Sequence, residues 1–120
     1  MSKTVLIVDD QLSLRRIIVN MLSSEGWTCV EAESLAKAQE QLKTHTPQLF
    51  IIDHYVGGSD GADVLKALQA LPAYQKTPAL FVVQDEPGKI LSGLMSGFVS
   101  YIVKPFSSEQ LLEKVKKVLG

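Results

Sequence analysis

Three runs of large apolar residues, TVLIV (4–8), LFIID (49–53) and ALFVV (79–83), punctuate this chain with no polar–apolar alternation inside them. A strand packed on one face alternates, whereas a strand covered on both faces reads as a continuous run. WTCVEA (27–32) and FVSYIV (98–103) have strand character as well. Segments of helical period lie between the runs. Leu14, Ile17, Ile18, Met21 and Leu22 share one helical face, and Gly26 marks its stop. Ser34 is placed to cap a helix that turns Leu35, Ala38 and Leu42 inward. Val64, Leu65, Leu68 and Leu71 form the next face, ended by Pro72. A helix near 87–97 carries Gly88, Gly93 and Gly97, and Asp85–Glu86 before it reads as a solvated loop or a first turn. Ser107 and Gln110 have capping-box spacing ahead of a stripe of Leu111, Leu112, Val115, Val118 and Leu119. Strands and helices in strict alternation predict an α/β domain over 1–120, a parallel sheet with helices on both faces. A length of 120 residues with 46% hydrophobic content suits one such core.

Sheets of this kind place ligands beyond the carboxyl ends of their strands, where the strand order reverses. Strand one ends in Asp9 and Asp10, strand three in Asp53, and strand five in Lys104 followed by Pro105. In the common order 2-1-3-4-5, strands one and three are neighbours at the reversal, so the three carboxylates converge with a lysine close by. Such a cluster raises at least one pKa unless a cation enters it. Oxygen-only ligands point to Mg²⁺ or Mn²⁺. A carboxylate can also act as a nucleophile and form an aspartyl-phosphate. Phosphoryl transfer needs mainly positioning and neutralised charge. Asp53 is the better nucleophile, being the single acid on its strand, and the Asp9–Asp10 pair is left to hold the metal.

The set VDD (8–10), IID (51–53), DG (60–61) and YIVKPF (101–106), in this order and spacing, resembles the receiver domain of bacterial response regulators, in particular the single-domain chemotaxis-type receivers. The likeness spans essentially the whole chain. It implies a flavodoxin-like (βα)5 fold and a phosphoryl group accepted by Asp53 from a sensor histidine kinase or a histidine phosphotransfer protein. It implies Mg²⁺ held by Asp10, Asp53 and the backbone carbonyl of Tyr55, with Asp9 assisting through water. Lys104 would contact the phosphoryl group, and the Lys104–Pro105 bond would be cis. Tyr101 matches the aromatic that turns inward on activation. A downstream protein would dock on the face of helix four, strand five and helix five.

Val83 stands where the family carries Ser or Thr, whose hydroxyl binds a phosphoryl oxygen. A hydrogen bond to a charged group is worth roughly 1.5–3 kcal/mol, comparable to the gap between switch states. Gln84 is a substitute donor if the loop shifts by one residue. Val56-Gly57 replaces the usual Met-Pro, and two glycines, Gly57 and Gly58, should loosen that loop. Tyr55 and Gln84 flank the acceptor site at positions that tune phosphoryl lifetime in the family. Asp60 is expected to cap the third helix, with Gly61 in a tight turn. His54 is expected to serve the surface, and His45 to sit near a helix end. Lys114, Lys116 and Lys117 read as a solvated helix face that needs no partner.

A net charge of −1 offers no basic field for nucleic acid or an anionic membrane. The apolar runs are too short to span a bilayer. One cysteine, Cys29, suits a reducing, cytoplasmic setting. Two other classes remain beside the phosphorylation switch. Val83 favours a pseudo-receiver that signals by protein contact alone. A phosphatase with an aspartyl nucleophile would need an Asp-x-Asp pattern and a cap domain, and VDDQ (8–11) lacks the pattern, so the chain is not expected to be an enzyme.

Overall fold

The computed structural model describes residues 3–84 and 99–119. The expected helix over 87–97 and the acidic pair Asp85–Glu86 lie outside the described residues. The element order is β1 (Thr4–Val8), α1 (Leu12–Ser23), β2 (Thr28–Ala32), α2 (Leu35–Gln41), β3 (Leu49–Asp53), β4 (Tyr55–Val56), β5 (Ser59–Asp60), α3 (Gly61–Gln69), a 3₁₀ turn (Pro72–Tyr74), β6 (Ala79–Val83), β7 (Val99–Val103) and a last helix (Ser108–Leu119). Five strands form a parallel sheet in the order β2-β1-β3-β6-β7. The pair β4–β5 is a separate antiparallel hairpin, so the principal strands follow the order 2-1-3-4-5.

Both sheet faces are covered. Leu6, Val8, Phe50, Ile52, Phe81 and Val83 pack with Ala38 of α2 and Val64, Leu65 and Leu68 of α3. Val5, Ile7, Leu49, Ile51, Leu80 and Val82 pack with Ile18 and Leu22 of α1 and Leu111 and Val115 of the last helix. Residues of opposite parity on one strand thus enter opposite layers, and that is why the runs show no alternation. Each fully buried Leu or Ile contributes about 1.5–3 kcal/mol.

The helix ends follow their local chemistry. Ser34 Oγ accepts a 3.1 Å hydrogen bond from the Lys37 N–H. Ser107 and Gln110 form a reciprocal box: the Gln110 N–H donates to Ser107 Oγ (3.1 Å), and the Ser107 N–H donates to Gln110 Oε1 (2.9 Å). His45 sits just beyond α2, its Nδ1 3.3 Å from the Gln41 carbonyl.

Four expectations change. Ile17 is exposed, and Arg15 is buried in line with Ile18 and Leu22. One residue is about 100° around a helix, so Ile17 falls to the flank of that line. Leu71 is exposed because α3 stops at Gln69, and Pro72 opens the 3₁₀ turn instead of ending the helix. Asp60 occupies the N-cap of α3 without a side-chain cap bond. The Gly57-Gly58 loop itself has a defined geometry. Both adopt positive φ (53° and 89°) and close a two-residue hairpin turn, in which two left-handed residues match the twist of the flanking strands. The lysines of the last helix have partners: Lys116 Nζ is 2.7 Å from Glu25 Oε1, Lys117 Nζ is 4.0 Å from Glu113 Oε1, and the Lys114 ammonium lies 5.6 Å from the Tyr101 ring centroid.

Candidate functional site

The carboxyl ends of β1 and β3 lie side by side, with Val8 opposite Ile52. Asp9 follows β1 and is 1% exposed. Its N–H donates to the Ala32 carbonyl (3.0 Å), which carries the ladder one residue beyond the strand. Its carbonyl accepts from Arg15 Nη1 (2.7 Å), and Arg15 Nε reaches Glu31 Oε1 (2.9 Å). The buried guanidinium therefore braces the end of β1 against β2. Asp9 Oδ1 accepts from the Gln11 N–H (2.9 Å). Asp10 is exposed, and its Oδ2 accepts from the Gly57 N–H (3.1 Å), which ties the hairpin turn to the acidic pair. Asp53, 4% exposed, closes β3. Its Oδ1 lies 3.0 Å from Lys104 Nζ and 3.2 Å from His54 Nδ1.

One carboxylate oxygen each from Asp9, Asp10 and Asp53 lies within 4.8 Å of the others. Burial pushes the Asp9 carboxyl up to about 6, against an ordinary 3.8. The Asp53 and Asp10 charges add to the rise, and the Gln11 N–H and the Lys104 ammonium oppose it. Asp9 Oδ2 is the one buried side-chain polar atom among the described residues without a hydrogen-bond partner. A buried carboxylate oxygen with no donor, on a residue clustered with two more carboxylates, fits a hard divalent cation with oxygen ligands. Asp9, Asp10 and Asp53 are the residues that could hold one.

Asp10, Gln11, Leu14, Asp53, His54, Tyr55, Gln84 and Lys104 line a cleft over this cluster. Lys104 is held there by its N–H, which donates to the Val83 carbonyl (2.8 Å), and the Lys104–Pro105 peptide is cis. Val83 is not among the lining residues. It is buried with Val8 and Ile52 in the α2–α3 layer, and its exposed neighbour Gln84 reaches the cleft. Tyr101 is half-buried against the same layer, opposite Phe81 in register. Tyr101 is not among the residues that line the cleft.

His54 is expected to serve the surface, yet its imidazole contacts the Asp53 carboxylate. Gly61 is expected in a tight turn. Gly61 instead opens α3 where a Cβ would strike the Asp53 carbonyl oxygen, and its N–H donates to the His54 carbonyl (2.8 Å). Only glycine lets the start of α3 approach the end of β3 this closely. Gly61→Ala is therefore expected to cost about 2 kcal/mol, since the obstacle is backbone and cannot rotate away. Chemical denaturation should show the lower midpoint, and amide shifts should move at Asp53 and His54.

The family model "Response regulator receiver domain" matches residues 5–116. The chain is 36% identical to the chemotaxis protein CheY1 of Helicobacter pylori, covering 96% of this chain and 95% of that protein. It is 32% identical to the chemotaxis protein CheY of Bacillus subtilis, covering all of both. It is 31% identical to the phosphate regulon transcriptional regulatory protein PhoB of Pseudomonas aeruginosa, where it spans about half (52%) of that relative's length. The structure of the Vibrio cholerae chemotaxis protein CheY4 superposes with a TM-score of 0.89 at 27% identity, covering 98% of this chain and 99% of that one.

Proposed function

This chain belongs to the response regulator receiver domain family of two-component signalling, and from that premise we propose that it is a phosphorylation-controlled switch whose acceptor is Asp53. The observation that carries the reading is the placement of one nearly buried carboxylate between an ammonium and two further carboxylates at the sheet's reversal point. A sensor histidine kinase or a histidine phosphotransfer protein is the donor. One oxygen of Asp53 attacks phosphorus, the new O–P bond forms as the P–N bond breaks, and the departing imidazole takes a proton. Lys104 meets the negative charge on the transferred group, because its Nζ already lies 3.0 Å from the acceptor. Receiver domains bind Mg²⁺ at such an acidic cluster, and here Asp9, Asp10 and Asp53 would hold it, with the Tyr55 carbonyl completing the set. When bound, the ion neutralises charge on the phosphoryl oxygens.

The domain is a signalling module, not an enzyme that turns over a separate substrate. Tyr101 and the last helix, with Lys114 over the ring, form the described part of the face offered to a downstream protein. The expected fourth helix of that face lies outside the described residues. Among the described residues no helix is long and apolar enough to cross a membrane. A cytoplasmic setting suits the single half-buried thiol of Cys29, and neither nucleic acid nor membrane is a partner of this domain.

Val83 supports a second reading, the pseudo-receiver. A valine side chain has no donor for a phosphoryl oxygen, and this residue is 4% exposed and packed among apolar ones. Gln84, which lines the cleft, is the replacement donor under the switch reading. Beryllofluoride with Mg²⁺, followed by amide spectra, separates the two. Shifts that start at Asp53 and Lys104 and extend to Tyr101 and the last helix establish the switch. Shifts confined to the cleft mean a domain that is charged but uncoupled. An unchanged spectrum leaves the pseudo-receiver standing.

A further inference from the structure

We infer that His54 is a positioning residue for the acceptor carboxylate: its imidazole N–H and the Lys104 ammonium grip the same oxygen of Asp53. The inference rests on Asp53 being the acceptor and adds how that acceptor is aimed.

Adjacent residues of a strand point to opposite faces, so residues 53 and 54 would not meet if β3 continued. The chain leaves the strand at His54. The His54 N–H donates to the Val82 carbonyl (2.9 Å), and the His54 carbonyl accepts from the Gly61 N–H (2.8 Å). The backbone is thereby fixed from β6 on one side and from α3 on the other. From that fixed position the imidazole turns back to Asp53, with Nδ1 3.2 Å from Oδ1. An ammonium can only donate, so Oδ1, 3.0 Å from Lys104 Nζ, is an acceptor, and Nδ1 must carry the hydrogen it shares with that oxygen.

Two donors on Oδ1 leave Oδ2 as the attacking atom. After transfer Oδ1 becomes the carbonyl oxygen of the acyl phosphate. Lys104 is then drawn to the new phosphoryl oxygens, and the imidazole remains on Oδ1. His54 gains and loses no proton in this step. The grip matters more in this chain because Val83 has no hydroxyl to orient the phosphoryl group.

Long-range proton–nitrogen spectra of the histidine rings read the grip without any phosphodonor. The wild type is expected to hold a proton on Nδ1 of His54, and Asp53→Ala to lose that preference. Phosphorylation by phosphoramidate with Mg²⁺ reads its consequence. His54→Ala is expected to slow it by about tenfold or more, since small misplacements of a reacting group are costly. His54→Asn, whose amide nitrogen occupies the place of Nδ1, should recover most of the rate. The imidazole is partly exposed in the cleft, so neither variant removes core packing. A wild-type Nδ1 without its proton, a His54→Ala protein at wild-type rate, or a His54→Asn protein as slow as His54→Ala each overturns the inference alone. A wild type that takes up no phosphoryl group overturns it together with the acceptor reading.

Discussion

Asp53→Asn is expected to bring phosphoryl incorporation from phosphoramidate down to background, a loss of at least about a hundredfold. An amide has no lone pair basic enough to attack phosphorus, while its shape is that of the carboxylate. The fold should survive, because Asp53 contributes its position at the end of β3 and no apolar packing. Lys104 loses its ion pair but is 21% exposed at the side chain, so water can hydrate the ammonium. A second consequence is independent of phosphorylation. The Asp53 charge is one of the forces that raise Asp9, so the Asp9 carboxyl should titrate below about 6 in the variant. Mass spectrometry of the protein after phosphoramidate treatment checks the first result, and carboxyl carbon shifts against pH check the second. Undiminished incorporation in Asp53→Asn would place the acceptor elsewhere and end its assignment to Asp53.

The principal strands were legible because burial on both faces leaves a plain signal. TVLIV, LFIID and ALFVV are strands over the same residues in the structure, Thr4–Val8, Leu49–Asp53 and Ala79–Val83. Local capping chemistry was legible too, as the Ser34 and Ser107–Gln110 bonds show. The convergence of Asp9, Asp10 and Asp53 followed from topology, since a parallel sheet with its reversal between β1 and β3 must bring those strand ends together.

What stayed hidden depends on partners distant in sequence. Nothing in RRIIVN (15–20) announces that Arg15 turns inward. Its burial requires the Asp9 carbonyl and Glu31, which only the folded sheet sets beside it. The same holds for Lys116 and Glu25, which meet because α1 and the last helix share one layer. Gly57-Gly58 is a hairpin signal whose flanking strands are two residues each, too short for alternation to show. His54 is expected at the surface because a lone histidine is weak evidence for a site, and its contact with the Asp53 carboxylate depends on how the chain turns where β3 ends.

Asp9→Asn should make the protein more stable at neutral pH while weakening its response to a divalent cation. The folded protein holds the Asp9 proton up to about pH 6, and an unfolded chain releases it near 3.8. Below that lower value both states are protonated and the group contributes no difference. Between the two values the folded state binds the extra proton, so stability falls as pH rises. Above about 6 both states are ionised and the whole penalty of a buried, unpartnered carboxylate stands. A rise of this size corresponds to about 3 kcal/mol, from about 1.4 kcal/mol per unit. Asparagine keeps the oxygen that accepts from the Gln11 N–H and offers N–H donors where Oδ2 now has no partner. Without added cation, Asp9→Asn should therefore melt higher by up to about 10 °C at pH 7.5 and show no gain at pH 3.5. Adding Mg²⁺ should raise the melting temperature of the wild type and raise that of the variant less, because the ion removes in one protein a repulsion that the other has already lost. An equal stability difference at both pH values would mean that the Asp9 charge is not what the fold works against. The strain of the acidic cluster and its affinity for a cation thus share a cause: the charge that costs the fold stability at neutral pH is the charge that draws the ion in.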